Sequence, residues 1–185
     1  KAESCIVTTP YENLHILPSS LDLAAAELEI SDKKGRESIL KNALLPIKQY
    51  YDYIIIDCPP SLGLITTNAL TASDTFLVPI QCEYYALEGL TQLMSTVRRI
   101  KRQYNNTIDI EGVLLTMYDG RLNLTQQVVE EVKKFFPRKV FKTVIPRGVR
   151  LSEAPSFGMP VIYYDKNCKG SITYTELAKE IIAKE

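Results

Sequence analysis

The chain has little glycine, almost no histidine and no charge bias. Only 8 of its 185 residues are glycine. None of them forms a Gly-rich turn followed by a lysine and a hydroxyl, whose backbone N–H groups cradle phosphates. A complete phosphate-binding loop is therefore excluded from these residues. His15 is the single histidine, and the four cysteines, Cys5, Cys58, Cys82 and Cys168, contain no Cys-x-x-Cys pair. That argues against a structural zinc site and for free thiols in a reducing compartment. Lys plus Arg number 22 and Asp plus Glu number 22, so any nucleic-acid surface has to be local. No apolar run approaches a membrane span and the first residues carry no signal-peptide pattern, so a cytoplasmic protein without membrane contact is expected. There is no internal repeat, no low-complexity segment and no boundary signal, so residues 1–185 read as one domain with a substantial core.

What is present is organised around Tyr51-Asp52-Tyr53-Ile54-Ile55-Ile56-Asp57-Cys58-Pro59-Pro60-Ser61-Leu62-Gly63. Ile54, Ile55 and Ile56 do not alternate with polar residues, which predicts a strand buried on both faces. Pro59 and Pro60 cannot donate ladder hydrogen bonds, so the strand ends near Cys58. Asp57 is then expected at the carboxyl end of a central strand, the edge where open α/β sheets bind ligands. A carboxylate there can hold a hydrated Mg²⁺ beside a nucleoside triphosphate, or it can simply start a turn.

Upstream, Leu14 to Pro18 reads as a short strand, Ser19 to Glu29 as a helix, and Arg36 to Tyr50 as a helix kinked or ended at Pro46. Downstream, a helix is predicted over Leu64 to Ala72 and a buried strand over Thr75 to Ile80. A long helix from about Ala86 to Tyr104 has the apolar face Leu90, Leu93, Met94, Val97, Ile100 and Tyr104. Its last turns carry Arg98, Arg99, Lys101 and Arg102, which complement the helix dipole. Then come a strand over Ile108 to Met117 and a turn at Tyr118 to Arg121. A helix capped by Asn123 buries Leu124, Val128, Val132, Phe135 and Phe136. Lys139 to Ile145 is a strand stopped by Pro146, and Val161 to Tyr164 a short edge strand. The last helix opens with a Thr173/Glu176 capping box and buries Tyr174, Leu177, Ala178, Ile181 and Ile182. Alternating strands and helices predict an α/β fold, a mainly parallel sheet with helices on both faces.

Ile54 to Gly63 resembles the Walker B and switch II segment of the ParA/Soj family, deviant Walker ATPases that segregate chromosomes and plasmids. The likeness runs through Pro10 to Leu14, Leu17 to Ala24, Asn68 to Ala72, Gln81 to Leu90, Gly112 to Asp119, Ile145 to Arg147, Leu151 to Gly158 and Tyr164-Asp165. It implies a P-loop NTPase fold of the MinD-like type, with ATP or ADP and Mg²⁺ as cofactors. By resemblance, Asp57 holds Mg²⁺ through water, and Pro59, Pro60 and Gly63 belong to the switch that senses the γ-phosphate. Thr116 and Met117 lie near the adenine, Pro146 and Arg147 close over the base, and Arg121 and Arg150 contact DNA without sequence preference. Gly148 stands where the family usually has Asn.

The family carries its phosphate loop near the N-terminus, with an extra lysine. A second strand follows, ending in an Asp that orients the attacking water. The resemblance therefore implies that these elements lie upstream and that residues 1–185 are a fragment. It further implies ATP-dependent homodimerisation, nucleoid association, and hydrolysis stimulated by a ParB/Spo0J-type protein. Three alternatives stay open. One is a fragment serving only as a DNA or protein interaction module. The others are a MinD-like membrane switch, for which the C-terminal Lys179 to Glu185 is not the basic amphipathic extension needed, and an iron–sulfur carrier.

Overall fold

The structure, a computed structural model, describes residues 1–83 and 88–184, and the side chains of Ala24 and Glu88 are not described. The sequence expectations on Tyr84, Tyr85 and the helix start at Ala86 lie outside the described residues. The chain forms two compact units, residues 1–75 with 93–109, and residues 76–92 with 110–185.

The first unit opens with a small antiparallel ladder, β1 (Val7–Thr8) on β2 (His15–Ile16). Only His15 and Ile16 of the predicted 14–18 strand are paired. Two helices follow, α1 (Asp22–Glu29) and α2 (Ile39–Leu44). The helix predicted over 36–50 is broken into a 3₁₀ turn at Arg36–Ser38, α2, and a 3₁₀ turn at Lys48–Tyr50. Pro46 cannot donate the bond that would carry α2 onward. α3 (Leu64–Ala72) lies where the sequence places it.

Buried amides tie this unit together. Asn68 accepts from Leu40 N (3.1 Å) and donates to the carbonyls of Arg36 (2.7 Å) and Leu64 (3.0 Å). Asn105 donates from Nδ2 to the carbonyls of Leu70 (3.0 Å) and Ser73 (2.7 Å), which are among the last of α3 and would otherwise lack intrahelical partners. Replacing Asn105 by Ala strands these carbonyls and is expected to lower unfolding stability by about 1–3 kcal/mol, measured by urea titration.

α4 (Glu88–Gln103) buries Leu90, Val97 and Ile100, members of its predicted apolar face. The second unit is built on a three-stranded sheet of β3 (Thr75–Gln81), β4 (Asp109–Tyr118) and β5 (Val140–Pro146), in that spatial order. β4 and β5 run parallel, with Val113 opposite Val140, Leu115 opposite Val144 and Tyr118 opposite Pro146. α5 (Asn123–Phe135), α6 (Val149–Glu153), α7 (Val161–Tyr164) and α8 (Lys169–Ile182) complete it. Leu114, Phe141, Ile145 and Leu177 form its core, with Leu77, Leu151 and Ile181 against them.

Glu180 of α8 accepts from the backbone N–H groups of Lys142 (2.8 Å) and Thr143 (3.0 Å) on β5. Desolvation alone would raise its pKa, but these two donors hold it below the usual carboxylate value. A depressed carboxylate adds stability above its unfolded pKa and loses it as pH falls through the folded value. Glu180→Ala is thus expected to cost about 1 kcal/mol at neutral pH. Glu180→Gln should cost less, and the difference from wild type should shrink in acid melts.

Several local expectations fail. Residues 53–57 are not a buried strand: no strand is assigned between residues 51 and 60, and Ile55 is 91% exposed. A strand exists only where its N–H and C=O groups meet a neighbour's, and among the described residues no strand pairs with this run. Asp57 accordingly does not sit at a strand end. Val161–Tyr164 is one helical turn, with Tyr163 N and Tyr164 N bonding to the Pro160 carbonyl. α8 is capped by Cys168, whose Sγ accepts from Ser171 N, and Thr173 Oγ1 bonds instead to the carbonyls of Lys169 and Gly170. α5 begins at Asn123 without a side-chain cap. Phe135 is half exposed, lying tilted on buried Phe136.

Candidate functional site

The expected site residues divide between the two units. Asp57, Pro59, Pro60 and Gly63 belong to the first; Thr116, Met117, Pro146, Arg147, Arg121 and Arg150 belong to the second.

In the first unit, Asp57, Pro59 and Pro60 are exposed on the extended segment that enters α3. The Cys58 thiol beside Asp57 is pushed up by desolvation, and further by the Asp57 charge. The segment is fastened where it joins the helix. Thr66 Oγ1 donates to the Ser61 carbonyl (2.5 Å) and Thr67 Oγ1 to the Gly63 carbonyl (3.0 Å). A carboxylate oxygen of Glu27, on α1, accepts from Leu64 N at the first turn of α3. A Cβ at Gly63 would meet the Glu27 carboxylate, which would have to swing aside and give up its bond to Leu64 N. Sequence reasoning missed Glu27, which stands 37 residues from its partner and has no local signature.

In the second unit, the carboxyl ends of the three strands carry their own set. The Cys82 N–H, just past β3, donates to the Thr116 carbonyl (3.1 Å). Met117 turns left-handed at φ 52°, an uncommon conformation for a residue with a side chain, and is 41% exposed. Pro146 lies opposite Tyr118 in the parallel ladder, so the ends of β4 and β5 present Thr116, Met117, Pro146 and Arg147 together. Arg147 Nη2 donates to Glu83 Oε1 (2.5 Å), bridging the residues that follow β5 and β3. Asp119 accepts from Arg121 at its backbone N (3.1 Å), Nε (2.9 Å) and Nη2 (2.7 Å). The guanidinium of Arg121, assisted by that of Arg147, holds the Asp119 carboxyl down at about 2. Arg150 pairs with Glu153 (2.8 Å) and Asp165 (3.4 Å). The partners Glu83, Asp119 and Asp165 were not singled out by sequence. The Arg150/Glu153 spacing of one helical turn was a readable signal.

An AAA domain family model matches residues 1–110. The chain is 60% identical over 178 residues to the sporulation initiation inhibitor protein Soj of Bacillus subtilis, a match covering 96% of this chain and 70% of that protein. The chain belongs to the Soj/ParA family of partitioning ATPases. It is also 49% identical over 182 residues to the chromosome-partitioning ATPase Soj of Treponema pallidum, covering 98% of this chain and 72% of that protein. Among solved structures, Mycobacterium smegmatis cobyrinic acid a,c-diamide synthase matches at 34% identity and a TM-score of 0.81, covering 96% of this chain and 65% of that one. That enzyme has been solved with ADP and magnesium and with an ATP analogue and magnesium. This Soj/ParA chain therefore spans 65–72% of the length of these three proteins.

The fold class of this Soj/ParA chain is α/β with a parallel strand pair, in keeping with its structural neighbours. Its residues suit magnesium in one respect: Asp57 offers an exposed hard oxygen donor. Among the described residues no three His, Cys, Asp or Glu side chains cluster as a metal cage. A single carboxylate suits Mg²⁺, which keeps most of its waters and is otherwise held by substrate phosphates. Among the described residues no helix is long and apolar enough to cross a membrane.

Proposed function

We propose that this chain works as part of a partitioning ATPase that couples ATP hydrolysis to DNA segregation. The observation that carries the reading is 60% identity to Soj across 96% of the chain. On it, Asp57 holds Mg²⁺ through water, and Pro59, Pro60 and Gly63 sense the γ-phosphate. Thr116 and Met117 lie against the base, and Pro146 with Arg147 closes over it. Bound Mg²⁺ supplies charge neutralisation for phosphoryl transfer to water. ATP drives homodimerisation, the dimer coats nucleoid DNA through Arg121 and Arg150, and a ParB/Spo0J-type protein stimulates hydrolysis. Such DNA contacts go to phosphates and weaken with salt. Residues 1–185 act here as one ATPase domain of a cytoplasmic protein.

A second reading is favoured by one feature: none of the 8 glycines belongs to a phosphate-cradling turn. Residues 1–185 then serve as a DNA or protein interaction module without turnover. The two are separated by measuring ATP hydrolysis on this chain and on this chain joined to the part of Bacillus subtilis Soj outside the match. Mg²⁺-dependent turnover by the joined polypeptide, stimulated by DNA and a ParB-type protein, supports the ATPase reading. Folded but inactive joined polypeptide leaves the interaction module.

A further inference from the structure

Resting on the reading of Arg121 and Arg150 as DNA-phosphate contacts, we propose that Asp119, Glu153 and Asp165 set the affinity and salt dependence of that contact. They are built-in phosphate mimics that DNA has to displace.

The geometry is that of a ligand already seated. Arg121 presents Nε and Nη2 to the two oxygens of Asp119, at 2.9 and 2.7 Å. This paired edge is the one a guanidinium uses to grip a phosphate bidentately. The Asp119 carboxylate is further pinned by the Arg121 backbone N–H at 3.1 Å. The Arg121 side chain is 88% exposed while that of Asp119 is only 22% exposed, so the cation faces solvent with its anion beneath it. Asp119 stays ionised at any working pH, because Arg121 holds its carboxyl down at about 2.

Arg150 repeats the arrangement with different residues. Nη1 donates to Glu153 Oε2 (2.8 Å) and Nε approaches Asp165 Oδ2 (3.4 Å). Tyr164 steadies this clamp, its hydroxyl donating to Glu153 Oε2 (3.2 Å) and its ring stacking on Phe157. Both clamps lie in the second unit. An incoming phosphate has to exchange with a carboxylate at each arginine and then sits beside the released negative charge. Exposed ion pairs are weak, so exchange is possible. It is nearly neutral in counterions, because the carboxylate that leaves the arginine gathers a cation as the phosphate gives one up.

The test is binding of a fluorescent mixed-sequence DNA duplex, followed by anisotropy between about 50 and 200 mM salt. It is run on residues 1–185 and on the joined polypeptide with ATP and Mg²⁺. Asp119→Asn is expected to tighten binding about two- to five-fold and Glu153→Gln with Asp165→Asn by a similar factor, the span of exposed ion pairs. Each clamp opened should also steepen the slope of log affinity against log salt by up to about 0.9, one extra counterion released. In an Arg121→Ala background, Asp119→Asn should do nearly nothing. Arg121→Ala and Arg150→Ala test the underlying reading: if they leave affinity unchanged, or no form binds DNA, that reading fails and the proposal with it. If they weaken binding but Asp119→Asn changes neither affinity nor slope, the reading stands and the clamp is overturned. Equal tightening by Asp119→Asn with and without Arg121 shows general charge repulsion and also overturns it. Each amide substitution keeps the shape of the side chain and an oxygen that can go on accepting from the backbone at Arg121, Asn167 and Cys168, so thermal melts of these variants should stay close to the wild type.

Discussion

Asp57→Asn should reduce Mg²⁺-dependent ATP turnover of the joined polypeptide at least about a hundredfold, a loss of about 2.7 kcal/mol of transition-state stabilisation. The proposed role gives Asp57 one task, to orient the hydrated cation that neutralises the transferring phosphate. An amide of the same shape keeps the volume and loses the charge. Nucleotide affinity should fall less than turnover, since the phosphates retain their other contacts, and raised Mg²⁺ should recover part of the rate. Asp57 is exposed, so the variant should fold normally. Unchanged turnover would mean that the carboxylate at this position only shapes the loop.

Gly112→Ala should have the largest effect on folding. Gly112 is buried in β4, and a Cβ there would lie 2.7 Å from Cζ and 2.9 Å from Cδ2 of Phe141. Phe141 is 3% exposed and belongs to the core of the second unit. Its ring is also covered by Lys184, whose Nζ stands 3.8 Å from the ring centroid. The ring has little room to yield, and overpacking of this kind costs about 1–3 kcal/mol. At the scale of a chain this size, that lowers the melting temperature by roughly 3–10 °C. Phe141→Leu combined with Gly112→Ala should recover part of the loss, because the smaller side chain vacates the clash. A double variant no better than the sum of the singles would show that the two residues do not compete for space.

Elements whose apolar spacing decides their packing were legible from sequence. α3, β4 and β5 fall within a residue or so of where periodicity and Pro146 place them, whereas α8 starts at Lys169, ahead of the Thr173 cap read from sequence, and leaves Tyr174 and Ile182 of its expected face exposed. The run Ile54 to Ile56 shows the limit of that reasoning. Its composition is that of a buried strand, but pairing is a property of two segments, and here the run is solvent-exposed or half-buried. Val161–Tyr164 misleads in the opposite way. β-branched and aromatic residues favour a strand, yet backbone bonds to the Pro160 carbonyl close a turn instead.

The candidate site was legible as residue types in motifs, not as charge pairs. Arg147, Arg121 and Arg150 were marked only by the family resemblance, whereas Glu83, Asp119 and Asp165 acquire their importance by proximity. Glu83 meets Arg147 across 64 positions of sequence, and nothing local marks it as a partner.

Asp57 is proposed to serve a nucleotide, whereas none of the 8 glycines within residues 1–185 forms the turn that would cradle its phosphates. Titrating a fluorescent ATP analogue with Mg²⁺ into residues 1–185, and into the joined polypeptide, tests this most directly. Residues 1–185 should show no saturable binding, and the joined polypeptide saturable, Mg²⁺-dependent binding that Asp57→Asn weakens. Tight, Mg²⁺-dependent binding by residues 1–185 alone would contradict the proposal.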